Sequence, residues 1–262
     1  MLYLQEHFRF LKLPLYTAMN SIAVILGLLF LVSLFYSSVG HGGASGYLAA
    51  LGILGISTEL MRPAVLVLNL FVSAIAFMQY YRAGHFRWSL FYPFAILSIP
   101  MAYLGAFVKL GPVVYKQVLG ICLIIAVLRI LGLFNRKSDG PSSPMPLYAG
   151  LLIGAVLGFL SGMIGIGGGI ILSPIILLFR WGNMKETAAV SALFIFVNSL
   201  ASLSGLWKQG TPWPPHLALW IVVVVAGGLL GSWWGSRRAE NTVLRNVLAG
   251  VLLLAAVKLI FI

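Results

Sequence analysis

Residues 39–50 read VGHGGASGYLAA, and residues 161–174 read SGMIGIGGGIILSP. Each stretch sets a glycine cluster after a long apolar run and in front of a short one. Glycine lacks a Cβ, so it admits unusual backbone angles and close approach by another chain or a ligand. A helix broken at membrane depth leaves N–H and C=O groups without partners, which is tolerated only inside protein or against a wet cavity. The helix that follows presents free N–H groups and the positive end of its dipole, where an anion binds without a basic side chain. Two such breaks facing each other predict an anion site at the centre of the molecule. Small residues spaced by three or four also serve helix packing. These clusters are denser than packing needs, and the runs after them are too short to span.

Composition places the chain in a bilayer. Of 262 residues, 61% are hydrophobic and 8% charged, with a mean hydropathy of +1.03. A soluble domain carries about 25% charged residues. Long apolar runs fall near 19–38, 63–81, 88–108, 112–134, 147–163, 187–207, 216–236 and 242–262. A run of roughly 20 residues covers a hydrocarbon core of about 30 Å. The short runs 47–56 and 170–181 read as half-helices or re-entrant segments. The expected fold is therefore all-α and polytopic, with about eight long spans and ten helical segments. Residues 1–18 mix apolar and charged side chains and read as an interfacial segment rather than a cleaved signal peptide.

The net charge of +12 comes from 17 Lys and Arg against five Asp and Glu. The basic residues are scattered at the ends of apolar runs, as in Arg82, Arg87, Lys109, Lys116, Arg237 and Arg238. That pattern suits loops flanking spans, so a lipid bilayer and no nucleic acid is the expected partner. Cys122 is the single cysteine and excludes an intrachain disulfide. No long run contains an acid, and the sequence shows no metal-ligand spacing, nucleophile triad or phosphate loop. GIGGG lacks the strand and downstream acid of a dinucleotide fingerprint. No enzyme, metal or cofactor is expected.

NRKSDGPSSPMP, 135–146, is a polar linker that divides the chain nearly in half. Gly165, Gly167 and Gly168 stand 125 residues after Gly40, Gly42 and Gly43. The same shift brings Ala189 and Val190 onto Ala64 and Val65, and a shift of 126 brings WKQG, 207–210, onto YRAG, 81–84. Two membrane repeats, 19–134 and 147–262, are expected, each with four long spans and one short helix. Such repeats build many secondary transporters, with the site near the midplane between them. If the short segments cross, each half crosses five times and the halves are inverted. If they do not, the halves are parallel. Lys and Arg show no excess on alternate loops under either scheme.

The repeated glycine cluster, the short apolar segment, the Lys- or Arg-bearing turn and the Ser/Asn-containing span resemble the TauE/SafE sulfite-exporter family. The resemblance is clearest in IGIGGGIILSPIILL and KETAAVSALFIFVNSLAS, within 164–202, and covers nearly the whole chain. The first copy departs from the pattern, with His41 where a small apolar residue is usual and Ala44 in place of the third glycine. The resemblance implies a transporter or facilitator for sulfite or a sulfonate such as taurine, isethionate or sulfoacetate. It also implies the bacterial inner membrane as the location. A small-anion channel, or a membrane-embedded enzyme or assembly factor, would share the architecture.

Polar residues inside membrane runs are costly and often functional. The expected substrate site comprises Gly40, His41, Gly42, Gly43 and Ser45 from the first cluster, and Gly165, Gly167, Gly168, Gly169 and Ser173 from the second. Asn69, Ser73 and Asn198 add neutral donors from the following spans. Single serines, including Ser161, Ser191, Ser199 and Ser202, carry little weight because they often bond their own helix. His41, the one titratable group in either cluster, can carry a coupling proton or meet an anion; sodium is the other candidate coupling ion. Glu59 and Arg62, and Lys185 and Glu186, follow the short segments at matching points and are candidates for gating.

Overall fold

The computed structural model describes residues 15–53, 58–108, 143–210, 213–244, 246–247, 249–250 and 253. Among the described residues lie eight helices: α1 Leu15–Ser38, α2 Ala44–Ile53, α3 Thr58–Arg82, α4 Trp88–Ala106, α5 Leu147–Ile164, α6 Gly169–Leu178, α7 Met184–Trp207 and α8 Leu217–Arg237. Five of them, α3, α4, α5, α7 and α8, are long and apolar enough to cross a membrane, and Ile22–Ser38 of α1 is a shorter apolar helix. The eight long spans expected thus reduce to these among the described residues. The runs 112–134 and most of 242–262, Cys122, residues 1–14 and the linker up to 142 lie outside them. Of the N-terminal segment 1–18, only Leu15 onward is described, as part of α1.

The two short helices are each 10 residues long, about 15 Å. They start where the glycine clusters end, because the left-handed residues there cannot continue a helix. α7 starts sharply for a different reason. Asn183 accepts from the N–H groups of Lys185 and Glu186, and the Glu186 carboxylate accepts from the Asn183 N–H. That is a capping box, which satisfies orphan donors reciprocally.

α3 and α7 form the inner pair, with 56% and 61% of their apolar windows buried, against 39% and 33% for α5 and α8. The outer helices turn Leu31, Phe35, Ile96, Leu152, Val156 and Val222 outward, where lipid would meet them. Two outer pairs pack backbone to backbone. A Cβ on Gly154, Gly158 or Gly162 of α5 would overlap the carbonyl oxygen of Phe94, Ser98 or Ala102 of α4. A Cβ on Gly231 or Gly235 of α8 would overlap that of Leu34 or Ser38 of α1. Glycines four apart let membrane helices approach closely without a hydrophobic driving force.

These contacts fix helix directions. Residue numbers rise together along α4 and α5, and along α1 and α8, so each pair is parallel. The C-termini of α3 and α8 meet at one end of the bundle, where the His85 Nε2–H donates to the Ser236 carbonyl at 3.1 Å. The N-termini of α4 and α7 are there too, joined by the Arg87–Glu186 ion pair at 3.3 Å. At the opposite end Arg62 donates to the carbonyls of Ala106 and Gly162, which close α4 and α5. α3 and α7 therefore run antiparallel.

Candidate functional site

Both glycine clusters break the helix. Gly40 and Gly43 have φ of +76° and +96°, and Gly165, Gly167 and Gly168 have +82°, +74° and +71°. These are left-handed angles that L side chains rarely adopt. The chain descends through the first break in steps marked by its neighbours on α7. Gly40 lies on the backbone of Ala188, His41 reaches Ser173 beside Ser191, and Gly42 lies against Ile195. Ile195 is near the middle of the 24-residue α7, as Asn69 is near the middle of the 25-residue α3. α2 then returns along α1, with Ser45 Oγ 2.8 Å from Tyr36 Oη. In the second break Gly165 sits on Arg62, and Gly167 on Asn69 and Ile195. α6 leaves this midpoint in the opposite direction, with Ser143 N–H donating to Arg180 O at the end where α5 starts. Each break plus its short helix therefore traverses the full bundle.

The breaks meet over two shared side chains. A Cβ on Gly42 would overlap Asn69 Oδ1 and lie 3.1 Å from Ile195 Cγ2. One on Gly167 would lie 2.7 Å from Ile195 Cγ2, 3.0 Å from Ser199 Oγ and 3.3 Å from Asn69 Nδ2. Ile195 also crowds Gly169. Asn69, Ser199, Asn198 and Ser161 are all 0% exposed. Among the described residues, Asn69 Oδ1 and Nδ2, Ser199 Oγ, Ser161 Oγ and Asn198 Oδ1 have no hydrogen-bond partner. Buried polar atoms are nearly always paired, so such a cluster calls for an explanation. α6 adds backbone donors, since Gly168 caps it without any side-chain bond.

The other expected site residues are engaged locally. Ser73 Oγ donates to Asn69 O at 2.5 Å, and Asn198 Nδ2 to Phe194 O at 2.8 Å. Gly43 packs on the Tyr47 ring and Gly168 near Phe194 and Ser161. His41 Nδ1 is 3.0 Å from Val39 O, and Nε2 is 3.3 Å from Ser173 Oγ, which is 2.7 Å from Ser191 Oγ. A carbonyl only accepts, so the Nδ1 proton is donated to Val39 and a neutral ring accepts at Nε2.

The family model described as sulfite exporter TauE/SafE matches residues 25–259. The chain belongs to the TauE/SafE family. Among its curated relatives, the probable membrane transporter protein y4hK of Sinorhizobium fredii is 40% identical over 236 residues, 88% of this chain and 95% of that one. The probable membrane transporter proteins YjnA and YunE of Bacillus subtilis are 28% and 24% identical, with 92% of this chain covered in each case. With its apolar helices, the TauE/SafE protein is a multi-pass membrane transporter.

Of the expected gating groups in this TauE/SafE protein, Arg62 ties the C-terminal ends of α4 and α5 together beneath the second break. Glu186 caps α7 and pairs with Arg87, the N-cap of α4, rather than with its neighbour Lys185. The side chain of Glu59 lies outside the described residues. Sequence reasoning gave Ser161 and Ser199 little weight, since a serine in a membrane helix often bonds its own backbone. Ser33, Ser38, Ser98 and Ser202 do so here. Nothing local distinguishes Ser199 from them; the signal is its position one helical turn after Ile195, on the face of α7 that both breaks cover.

Proposed function

We propose that this protein is a secondary transporter or facilitator that moves a small organosulfur anion, sulfite or a sulfonate such as taurine, isethionate or sulfoacetate, across the bacterial inner membrane. The observation that carries the reading is the unpaired amide of Asn69, buried at the midpoint of α3 and facing both glycine breaks with Ser199. An oxyanion placed there would take the Asn69 Nδ2–H and Ser199 Oγ–H bonds together with N–H groups from the start of α6. The fixed positive end of that helix favours an anion over a cation. Hydrogen bonds to a charged group contribute about 1.5–3 kcal/mol each, so a few such donors suffice without a buried cation.

The opposed directions of α2 and α6, and of α3 and α7, support two inverted halves, 19–134 and 147–262, joined by the linker 135–146. Full burial of Asn69 and Gly42 supports alternating exposure of the site over an open channel. The test is uptake by proteoliposomes of sulfite, isethionate and taurine, with sodium and potassium as controls and with proton or sodium gradients imposed in turn. Uptake of an organosulfur anion in preference to the cations is expected. Preferential movement of a cation would sink the reading.

A further inference from the structure

At the end of the bundle where α3 and α8 finish and α4 and α7 begin lies a depression of about 510 Å³. His85, Asn183, Lys185, Arg238, Glu240 and Asn241 line it. Lys185 is half-buried in the first turn of α7, and Arg238 is exposed just past α8. Glu240 is the one acid in the lining, and Glu186, beside Lys185 in sequence, is balanced by its ion pair with Arg87. The lining thus carries a net positive charge. His85 is held by its bond to Ser236 O, which sets the wall between α3 and α8.

The depression stands over the first break. One turn below Lys185 on α7, Ala188 carries Gly40. One residue before Ser236 on α8, Gly235 closes on Ser38 O and Tyr80 Oη, and Tyr80 donates to Ser38 O just before the break. Lys185, Ala188, Ser191, Ile195 and Ser199 recur at three- and four-residue spacing, which is one face of a helix. That face leads from the cationic rim to the unpaired donors at the centre.

We propose that this depression is a capture site for a soluble oxyanion, held by Lys185 and Arg238 through its sulfonate or sulfite oxygens before it passes to the central donors. The proposal rests on the transport reading above. The same chemistry would hold the phosphate of an anionic lipid, so the experiment separates the two sources.

The first arm measures isethionate uptake in phosphatidylcholine proteoliposomes for wild type and the double variant Lys185→Gln/Arg238→Gln. At low salt the variant is expected to show a KM about fivefold higher with kcat unchanged, and the difference should vanish once salt shortens the screening length to about 3 Å, near 1 M. An unchanged KM at low salt, or a loss of kcat alone, overturns the capture site. The second arm measures melting in detergent with isethionate or with phosphatidylglycerol, in an Asn69→Leu background that removes the central donor. An isethionate shift lost on adding the double substitution supports the site even if no sulfonate is transported, in which case the transport reading fails alone. An isethionate shift that survives the double substitution overturns the capture site, and loss of only the phosphatidylglycerol shift assigns the depression to a lipid headgroup.

Discussion

Asn69→Leu separates a binding group from a structural one. Leucine nearly matches asparagine in shape and replaces two polar atoms that have no partner among the described residues. A buried unpaired polar group costs about 1–3 kcal/mol, and replacing it by an apolar group of the same shape is neutral or stabilising. Without substrate, the variant is therefore expected to melt at or above the wild-type temperature. With substrate, the order reverses. Losing a hydrogen bond to a charged ligand costs about 1.5–3 kcal/mol, roughly tenfold to a hundredfold in Kd. At a substrate concentration near 100 Kd the wild type gains about 2.7 kcal/mol of stability. The variant, with its Kd raised tenfold to a hundredfold, gains only about 1.4 to 0.4 kcal/mol by the same relation. The assay is thermal unfolding in detergent across a series of sulfite and isethionate concentrations, paired with uptake by proteoliposomes. A variant that melts lower without substrate yet keeps the full substrate-induced shift would show that Asn69 serves the fold and not the ligand.

Three more outcomes follow from the geometry. Gly158→Val drives a side chain into the Ser98 backbone and should destabilise the protein by about 1–3 kcal/mol, as overpacking does; Gly27→Val, where nothing lies within 4 Å, should leave the melting temperature unchanged. Arg62→Met removes a charged donor from the ends of α4 and α5 and should cost about 1.5–3 kcal/mol; unchanged melting would deny it the role of tying those ends. His41→Gln should keep the wild-type dependence of transport on pH between about 5.5 and 8.5, the window in which a free histidine titrates, because the structure satisfies a neutral ring on both nitrogens. A flattened profile would make His41 the coupling proton carrier instead.

Much of the fold was legible because a bilayer leaves few choices. Without water, every backbone group must be paired inside a helix, so apolar length alone set the positions of α3, α4, α5, α7 and α8 to within a few residues, apart from the start of α3. The glycine clusters were legible as breaks because L side chains rarely take the φ of +71° to +96° found there. The glycines four apart in α5 and α8 were also in plain view, but their partners were not.

What the sequence left open was everything that depends on which helices meet. Periodicity shows that a face exists and not what covers it. Whether the short segments traverse the bundle followed only from the neighbours of Gly40, Gly42, Gly165 and Gly167 on α3 and α7. Arg62 read from sequence as a gating candidate; that it holds the ends of α4 and α5 shows only in the tertiary structure. Ser199 and Ser202 are three residues apart on one helix, yet Ser202 donates to the Asn198 carbonyl one turn back while Ser199 stands unpaired beside Gly167. Composition and local backbone preference act along the chain and can be read from it. Pairing of polar atoms is decided by residues more than a hundred positions apart, such as His41 and Ser173, and exists only once the bundle has closed.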